Sequence, residues 1–324
     1  MPRPPLPDFL ALGAFSAADA AEAGVNWRRL RQPDVAHPHR GVYAPVHGGD
    51  PALHGTLIER CEWALAVLGP RRMFSHLTAA RLWNIPLPFS EAADEPLHTL
   101  SPEGVEAIRR PGVVGWQIDD PAPRIDTVGL VPLAPAADVW CQLAVPGATG
   151  VSRATGRKQQ LSREWLVAVG DFLLTGPWTP DGQRTPLCTR EDLAAALRRH
   201  RGKRGAKALA WALDRVRAPV HSPRETMLRL VLMDAGLPEP EVQFAVETAQ
   251  GTRHADLGYR RARLLLEYHG DHHRSDARQW REDLTRRQLF EDAGYRVIEV
   301  AAGDLADDGF ALAGRIRRAL AQRS

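Results

Sequence analysis

The stretch ADLGYRRARLLLEYHGDHH (Ala255–His273) decides how this chain is read. Residues 262–269 have the composition of a strand made for a dry interior, yet Glu267 and His269 sit inside it, and Asp271, His272 and His273 follow. A buried charge is costly unless it is paired or binds a metal, so these groups need a local reason. Side chains alternate across a strand, which puts Arg263, Leu265, Glu267 and His269 on one face and Leu264, Leu266 and Tyr268 on the other. With a tight turn at Arg260 and Arg261, Tyr259 pairs with Ala262, Asp256 with Leu265 and His254 with Glu267. Asp256 is then a diagonal neighbour of Glu267 on the same face, about 7–8 Å away at the backbone, close enough for both carboxylates to clasp one divalent ion. A slip of one residue would send Asp256 to the opposite face. The cation would offset the repulsion that otherwise raises the pKa of one of two adjacent carboxylates. Hard oxygen donors favour Mg²⁺ or Mn²⁺, and nearby imidazoles shift the preference toward Mn²⁺ or Zn²⁺.

The flanking sequence supplies a frame for this hairpin. SPRETMLRLVLMDAGLPEP (Ser222–Pro240) opens with Ser222 as N-cap, Pro223 in the first turn and Glu225 as capping-box acid, and it stops at Gly236 and Pro238. Strands are predicted over 242–248, 252–259 and 262–270, followed by an amphipathic helix over 275–295, a buried strand over 296–302 and a closing helix over 310–320. On the long helix, Asp283 and Arg287 stand at the i, i+4 spacing of a surface ion pair, and Arg286 or Arg287 is within reach of a nucleic acid.

A helix carrying Glu225, then Asp256 on a strand, then Glu267 two residues before a polar group on the next strand resembles the restriction-endonuclease-like superfamily with its PD-(D/E)xK signature. LLLEYHGDHH followed by WREDLTRRQLFEDAGYRVIEV is similar to the very-short-patch-repair-endonuclease-like domain, over about residues 220–324. The resemblance implies a metal-dependent endonuclease in which Asp256 and Glu267 are metal ligands, Glu225 is an accessory acid, and His269 holds the place of the signature lysine; His272, after a glycine in the loop at the mouth of the strand, is a further candidate metal ligand. Ala255 stands where proline is usual, and no lysine follows Lys207. An imidazole with an ordinary pKa of about 6.5 can hold or deprotonate a water; replacement of the lysine equally signals lost activity, leaving a DNA-binding regulator on a nuclease scaffold.

The front half reads differently. SAADAAEAGVNWRRLRQ (Ser16–Gln32) has a short helix, a glycine turn and Asn26 as N-cap of a second helix ending in Arg28, Arg29 and Arg31, a helix-turn-helix candidate, and HRGVYAPV (His39–Val46) supplies a wing strand. Phe15–Tyr43 is similar to the winged-helix antitoxins of abortive-infection systems, a resemblance compatible with a homodimer and with a toxin or other defence-system partner. Residues 50–150 alternate apolar helices at 57–69 and 75–85 with strands at 97–102, 112–118 and 125–133; Ser75 and Thr78 are candidate caps, and His76 and Trp83 are packing residues. Further helices are expected at 164–174 and 191–200, separated by the Pro/Gly-rich loop TGPWTPDGQRTP (Thr175–Pro186).

Charge is distributed unevenly. The 324 residues carry a net +3, but Lys plus Arg against Asp plus Glu is 12 against 16 in residues 1–150, 13 against 6 in 151–216 and 17 against 17 in 217–324. LRRHRGKRGAK (Leu197–Lys207) holds six of the cations, among them Arg199, Arg201, Lys203 and Arg204, and suits a phosphate backbone. DNA is the expected partner, with Arg28, Arg29 and these four residues as its contacts. At 44% hydrophobic and 25% charged residues the composition is that of a globular protein, and no membrane span or signal peptide is read. Cys61, Cys141 and Cys188 form no CxxC pair, which fits a cytoplasmic setting without a disulfide framework. The expected fold class is α/β, α+β overall: a winged helix over 1–49, a mixed middle region over 50–217, and a restriction-endonuclease-like mixed sheet flanked by helices over 218–324.

Overall fold

The computed structural model describes residues 5–11, 13–39, 41–45, 56–92, 95–152, 155–269 and 277–322. The fold mixes helices with three sheets, an α/β content, and divides into two compact units, Met1–Gln160 and Leu161–Ser324. The helices at 163–215 therefore belong to the same unit as the sheet that follows them. No helix of the described residues is long and apolar enough to cross a membrane.

The first unit begins with α1 (Asp8–Ala11), β1 (Phe15–Ser16), α2 (Ala17–Glu22), α3 (Trp27–Leu30), β2 (Val35–His39) and β3 (Val42–Pro45). Ser16 and Asp19 form a capping box on α2, and Asn26 accepts the Arg29 N–H at 3.0 Å to start α3. The three strands make a sheet in the order β1-β3-β2, so the two short helices are followed by a hairpin that pairs back with the strand before them. Leu10, Phe15, Ala20, Leu30 and Val35 fill the small core beneath.

The unit continues with α4 (Leu57–Leu68), β4 (Met73–Phe74), α5 (His76–Leu82), β5 (Leu97–Ser101), β6 (Arg109–Arg110), β7 (Val113–Gln117), β8 (Asp126–Val128), β9 (Val131–Leu133) and α6 (Ala136–Gln142). These strands form a sheet in the order β6-β7-β5-β4-β9-β8. The single strand expected over 125–133 is a hairpin turning at Gly129, where φ is +58°. Ser75 makes no side-chain cap on α5 and bonds the His76 ring instead, while Thr78 accepts the His98 N–H at 2.7 Å. His76 stacks on Trp116 at 3.9 Å, and the Trp83 indole donates to the Ala134 carbonyl, the packing roles expected for both.

The second unit opens with α7 (Arg163–Thr175), α8 (Arg190–Arg199), α9 (Ala206–Arg215) and α10 (Pro223–Asp234). Then come β10 (Glu241–Thr248), β11 (Gly251–Tyr259), β12 (Leu264–His269), α11 (Ala277–Asp292), β13 (Arg296–Ala301) and α12 (Phe310–Ala321). The sheet order is β10-β11-β12-β13; the first three strands are antiparallel, and β13 joins β12 in parallel after the α11 crossover. Leu228, Leu232, Leu312 and Ile316 of α10 and α12 pack with Leu257, Leu264, Leu266 and Val300 on one face. On the other, Phe290 of α11 packs with Phe244, Val246 and Leu265. Gly258 lies so close to Phe244 that a Cβ there would stand 2.4 Å from the ring.

α7 is tied to α10 by a buried ion pair. Arg229 and Asp171, 0% and 1% exposed, meet at 3.0 Å, and Asp171 also accepts from Arg217 N at 2.6 Å and Thr226 Oγ1 at 2.7 Å. Breaking such a pair from one side leaves a charge stranded in low dielectric, so the helical layer is part of the sheet's fold.

Candidate active site

The β11–β12 hairpin brings the two expected acids together, in a register different from the predicted one. Tyr259 pairs with Leu264, Gly258 with Leu265 and Leu257 with Leu266. The turn spans four residues instead of two because Arg263 adopts φ +46°, a conformation that no glycine or asparagine announces. The shift of two residues keeps the parity of the faces, so Asp256 lies directly across from Glu267 instead of diagonally. There the ladder gives way to side-chain bonds: Asp256 N donates to Glu267 Oε1 at 3.2 Å, and Tyr268 N donates to Asp256 Oδ2 at 2.8 Å.

Glu225 enters from the first turn of α10. Its N–H bonds the Ser222 hydroxyl as an N-cap requires, but its carboxylate, expected to close a capping box, turns to the His221 N–H at 3.1 Å and the Gln243 amide at 2.9 Å. Gln243 is held at φ +44°, a strained conformation for a side chain of this kind. Its neighbours Val242 and Phe244 pack on opposite faces of the sheet, which places the break in β10 beside the acids.

The cation facing these acids comes from α11. The Arg286 guanidinium bonds Glu267 Oε2, and the same nitrogen lies 3.9 Å from Asp256 Oδ1. Arg286 does not bring the cluster back to the ordinary carboxylate range. Burial, and next the charge of Asp256, pushes the Glu225 and Glu267 carboxyls each up to about 7. Burial also raises Asp256, against the pull of the Tyr268 N–H, Arg286 and His269. His269 follows Glu267 on the same strand face, paired with Ala301 across the parallel ladder.

A basic and aromatic rim surrounds the acids. His221, whose N–H serves Glu225, is held well below its ordinary imidazole value by partial burial and by Arg184, His254 and Arg286. Arg184 donates to the His221 carbonyl at 3.3 Å and lies 4.3 Å over the Trp178 ring. Sequence reasoning passed over Trp178 and Arg184 as loop residues and gave His221 and His254 no role; only the aromatic and the cation within the Pro/Gly-rich loop hinted at a surface.

Other expected site residues fall as follows. His272, with Asp271 and His273, lies outside the described residues, as does the Asp283 side chain. Arg287 pairs with Glu291 at 2.9 Å and Glu299 at 2.8 Å. Arg29, expected to face DNA, is 8% exposed and engaged with both carboxylate oxygens of Asp34, at 2.9 and 2.7 Å, so it locks α3 to the loop before β2. Arg28 is exposed beside the exposed Trp27. Arg199, at the end of α8, and Arg201, Lys203 and Arg204, in the loop to α9, are also exposed.

Among the described residues no three His, Cys, Asp or Glu side chains converge as a ready-made metal cage. Asp256 and Glu267 nonetheless suit a hard ion of the Mg²⁺ type, which is commonly held through one or two carboxylates and completes its shell with water and phosphate. Arg286, bridging the two, is the stand-in for such a cation.

No family model matches the chain, and no solved structure matches it. Two uncharacterised proteins of Mycobacterium tuberculosis, from strains CDC 1551 / Oshkosh and ATCC 25618 / H37Rv, are each 28% identical to it over 138 residues, 42% of this chain and 51% of theirs. The chain thus spans about half the length of the curated relatives it matches.

Proposed function

We propose that this protein is a metal-dependent endonuclease that hydrolyses phosphodiester bonds in DNA, with Mg²⁺ or Mn²⁺ held by Asp256 and Glu267. The observation that carries this reading is a cluster of buried acids lifted out of the ordinary carboxylate range: burial raises all three, and the charge of Asp256 raises Glu225 and Glu267 further, although Arg286 reaches Asp256 and Glu267. Burial also raises Asp171, to about 6, so a raised carboxyl alone is no mark of chemistry; what sets the cluster apart is that the charge of one acid lifts two others. Perturbed carboxyls of this kind gather where chemistry is done.

The chain's own groups divide the work. Tyr268 N fixes Asp256, Asp256 N and Arg286 fix Glu267, and His221 N and Gln243 fix Glu225, so none of the acids has to be ordered at the moment of reaction. Asp256 and Glu267 would hold a divalent cation, which when bound would supply Lewis acidity at the scissile phosphate. Water attacks phosphorus in line; the new P–O bond forms as the ester P–O bond breaks, His269 takes the water's proton, and the leaving oxygen is protonated from solvent. The Arg286 guanidinium, beside Glu267 and Asp256, would offer its planar donors to phosphate oxygens. The exposed Arg28 and the α8–α9 basic loop are the proposed contacts to the backbone beyond the site.

A second reading has its own support: the Arg286–Glu267 pair already satisfies one acid, as a regulator that keeps the fold as a DNA-binding scaffold would require. Incubating plasmid and single-stranded DNA with the full chain and Mg²⁺ or Mn²⁺ separates the two. Cutting by wild type that is lost in Asp256→Ala and Glu267→Ala supports the nuclease, whereas retained DNA binding with no metal-dependent cutting sinks it.

A further inference from the structure

We infer that the acid site takes an unpaired nucleotide, whose base stacks on Trp178; this substrate class rests on the nuclease reading above. Trp178 is 61% exposed, with Arg184 4.3 Å over its ring. It stands on a built loop. Trp178 and Arg184 form an antiparallel bridge, Thr179 N bonds the Gln183 carbonyl at 2.8 Å, and Gly182 N bonds the Thr179 carbonyl at 2.9 Å. At the base of the loop, Gly176 has φ +82° and leaves no room for a Cβ, which would lie 1.8 Å from the Thr185 carbonyl oxygen. Arg184 is held over the ring by its own bonds to the Gly176 carbonyl at 2.8 Å and the His221 carbonyl at 3.3 Å.

The loop reaches the acids through one residue. The His221 ring is 5.9 Å from Trp178, its carbonyl accepts from Arg184, and its N–H bonds Glu225. A base resting on Trp178 therefore brings an adjoining phosphate toward Glu225 and Asp256, under the cationic rim of Arg184 and Arg286. Stacking on a protein ring needs a base with a free face. Inside a duplex both faces are covered by neighbours; single strands, flaps and frayed ends offer one.

The test measures binding of the full chain to a fluorescent single-stranded oligodeoxynucleotide and to a blunt duplex of the same sequence, by anisotropy in EDTA so that cutting plays no part. Wild type is expected to prefer the single strand. Trp178→Ala should lose about 5- to 150-fold in single-strand affinity, the range for one base stack, and less than about twofold for the duplex. Trp178→Phe keeps an aromatic face and should recover most of the loss, while Trp178→Leu keeps bulk without that face and should not. Unchanged single-strand binding in Trp178→Ala, an equal loss on both probes, or no preference in wild type overturns the inference. Cutting assayed separately with Mn²⁺ distinguishes the two claims: a Trp178-dependent preference without any metal-dependent cutting keeps the stacking site and removes the nuclease.

Discussion

Asp256→Asn should stabilise the protein at alkaline pH while abolishing cutting. The amide preserves the shape of the side chain, and its oxygen can still accept the Tyr268 N–H that now bonds Asp256 at 2.8 Å. What disappears is the charge that helps hold Glu225 and Glu267 near 7, where 4.5 is ordinary. A carboxyl whose folded pKa is raised binds protons more tightly in the folded state, so its contribution to stability falls as pH rises from about 4.5 to about 7. The destabilisation is complete above that window and absent below it. Burial is the first cause for both glutamates and the charge of Asp256 the second, so removing that charge relieves part of each rise; each pKa unit relieved is worth about 1 kcal/mol. Against this stand the contact with Arg286 at 3.9 Å, discounted because Arg286 is 36% exposed, and an amide N–H₂ that must find acceptors. The expected net gain is about 1–2 kcal/mol at pH 8, or ~2–8 °C in Tm for a unit of this size, and none at pH 5. Thermal unfolding of both proteins at the two pH values, with and without Mn²⁺, provides the assay. Mn²⁺ should raise Tm in wild type and not in the variant. If the variant is destabilised at pH 8, or shifted equally at both pH values, Asp256 is an ordinary structural acid and the reasoning fails.

Four further outcomes follow from the same geometry. Because the cation needs ionised carboxylates, Mn²⁺ binding should release protons and tighten from pH 5.5 to 8, measurable by calorimetry in buffers of different ionisation enthalpy; a flat profile would contradict raised acids at the site. Arg286→Gln removes the resident competitor, so it should lower Tm without metal yet bind Mn²⁺ more tightly than wild type, and weaker binding would show that Arg286 only supports the acids. Arg229→Met strands Asp171 in the interior and should cost ~3–5 kcal/mol in urea unfolding. Gly258→Ala drives a methyl into the Phe244 ring and should cost ~1–3 kcal/mol, with circular dichroism retained at low temperature.

What the sequence made legible is what depends on near neighbours. Alternation along 264–269 puts Glu267 and Leu265 on one face, and the Ser222–Pro223–Glu225 cap starts α10, because each rests on contacts within a few residues. Register is less local, since it depends on how many residues the turn consumes. The turn at 260–263 consumes four, through a positive φ at Arg263 where the residue type gives no signal, yet an even shift preserves the faces, so Asp256 and Glu267 remain on one face although the expected diagonal placement was wrong.

The remaining features are set by contacts made across long stretches of chain. Asp171 and Arg229 are 58 residues apart, so nothing in either helix alone says that α7 closes over α10 and belongs with the sheet. Arg29 and Arg28 look alike in sequence, and only Asp34 decides that one is buried. The same holds at the site. Arg286, Gln243 and His221 reach the three acids from α11, β10 and the segment before α10, and the acid cluster exists only once all are assembled. Two carboxylates can be read from a hairpin; whether they are compensated is a property of the tertiary structure, set by which groups of distant elements reach them.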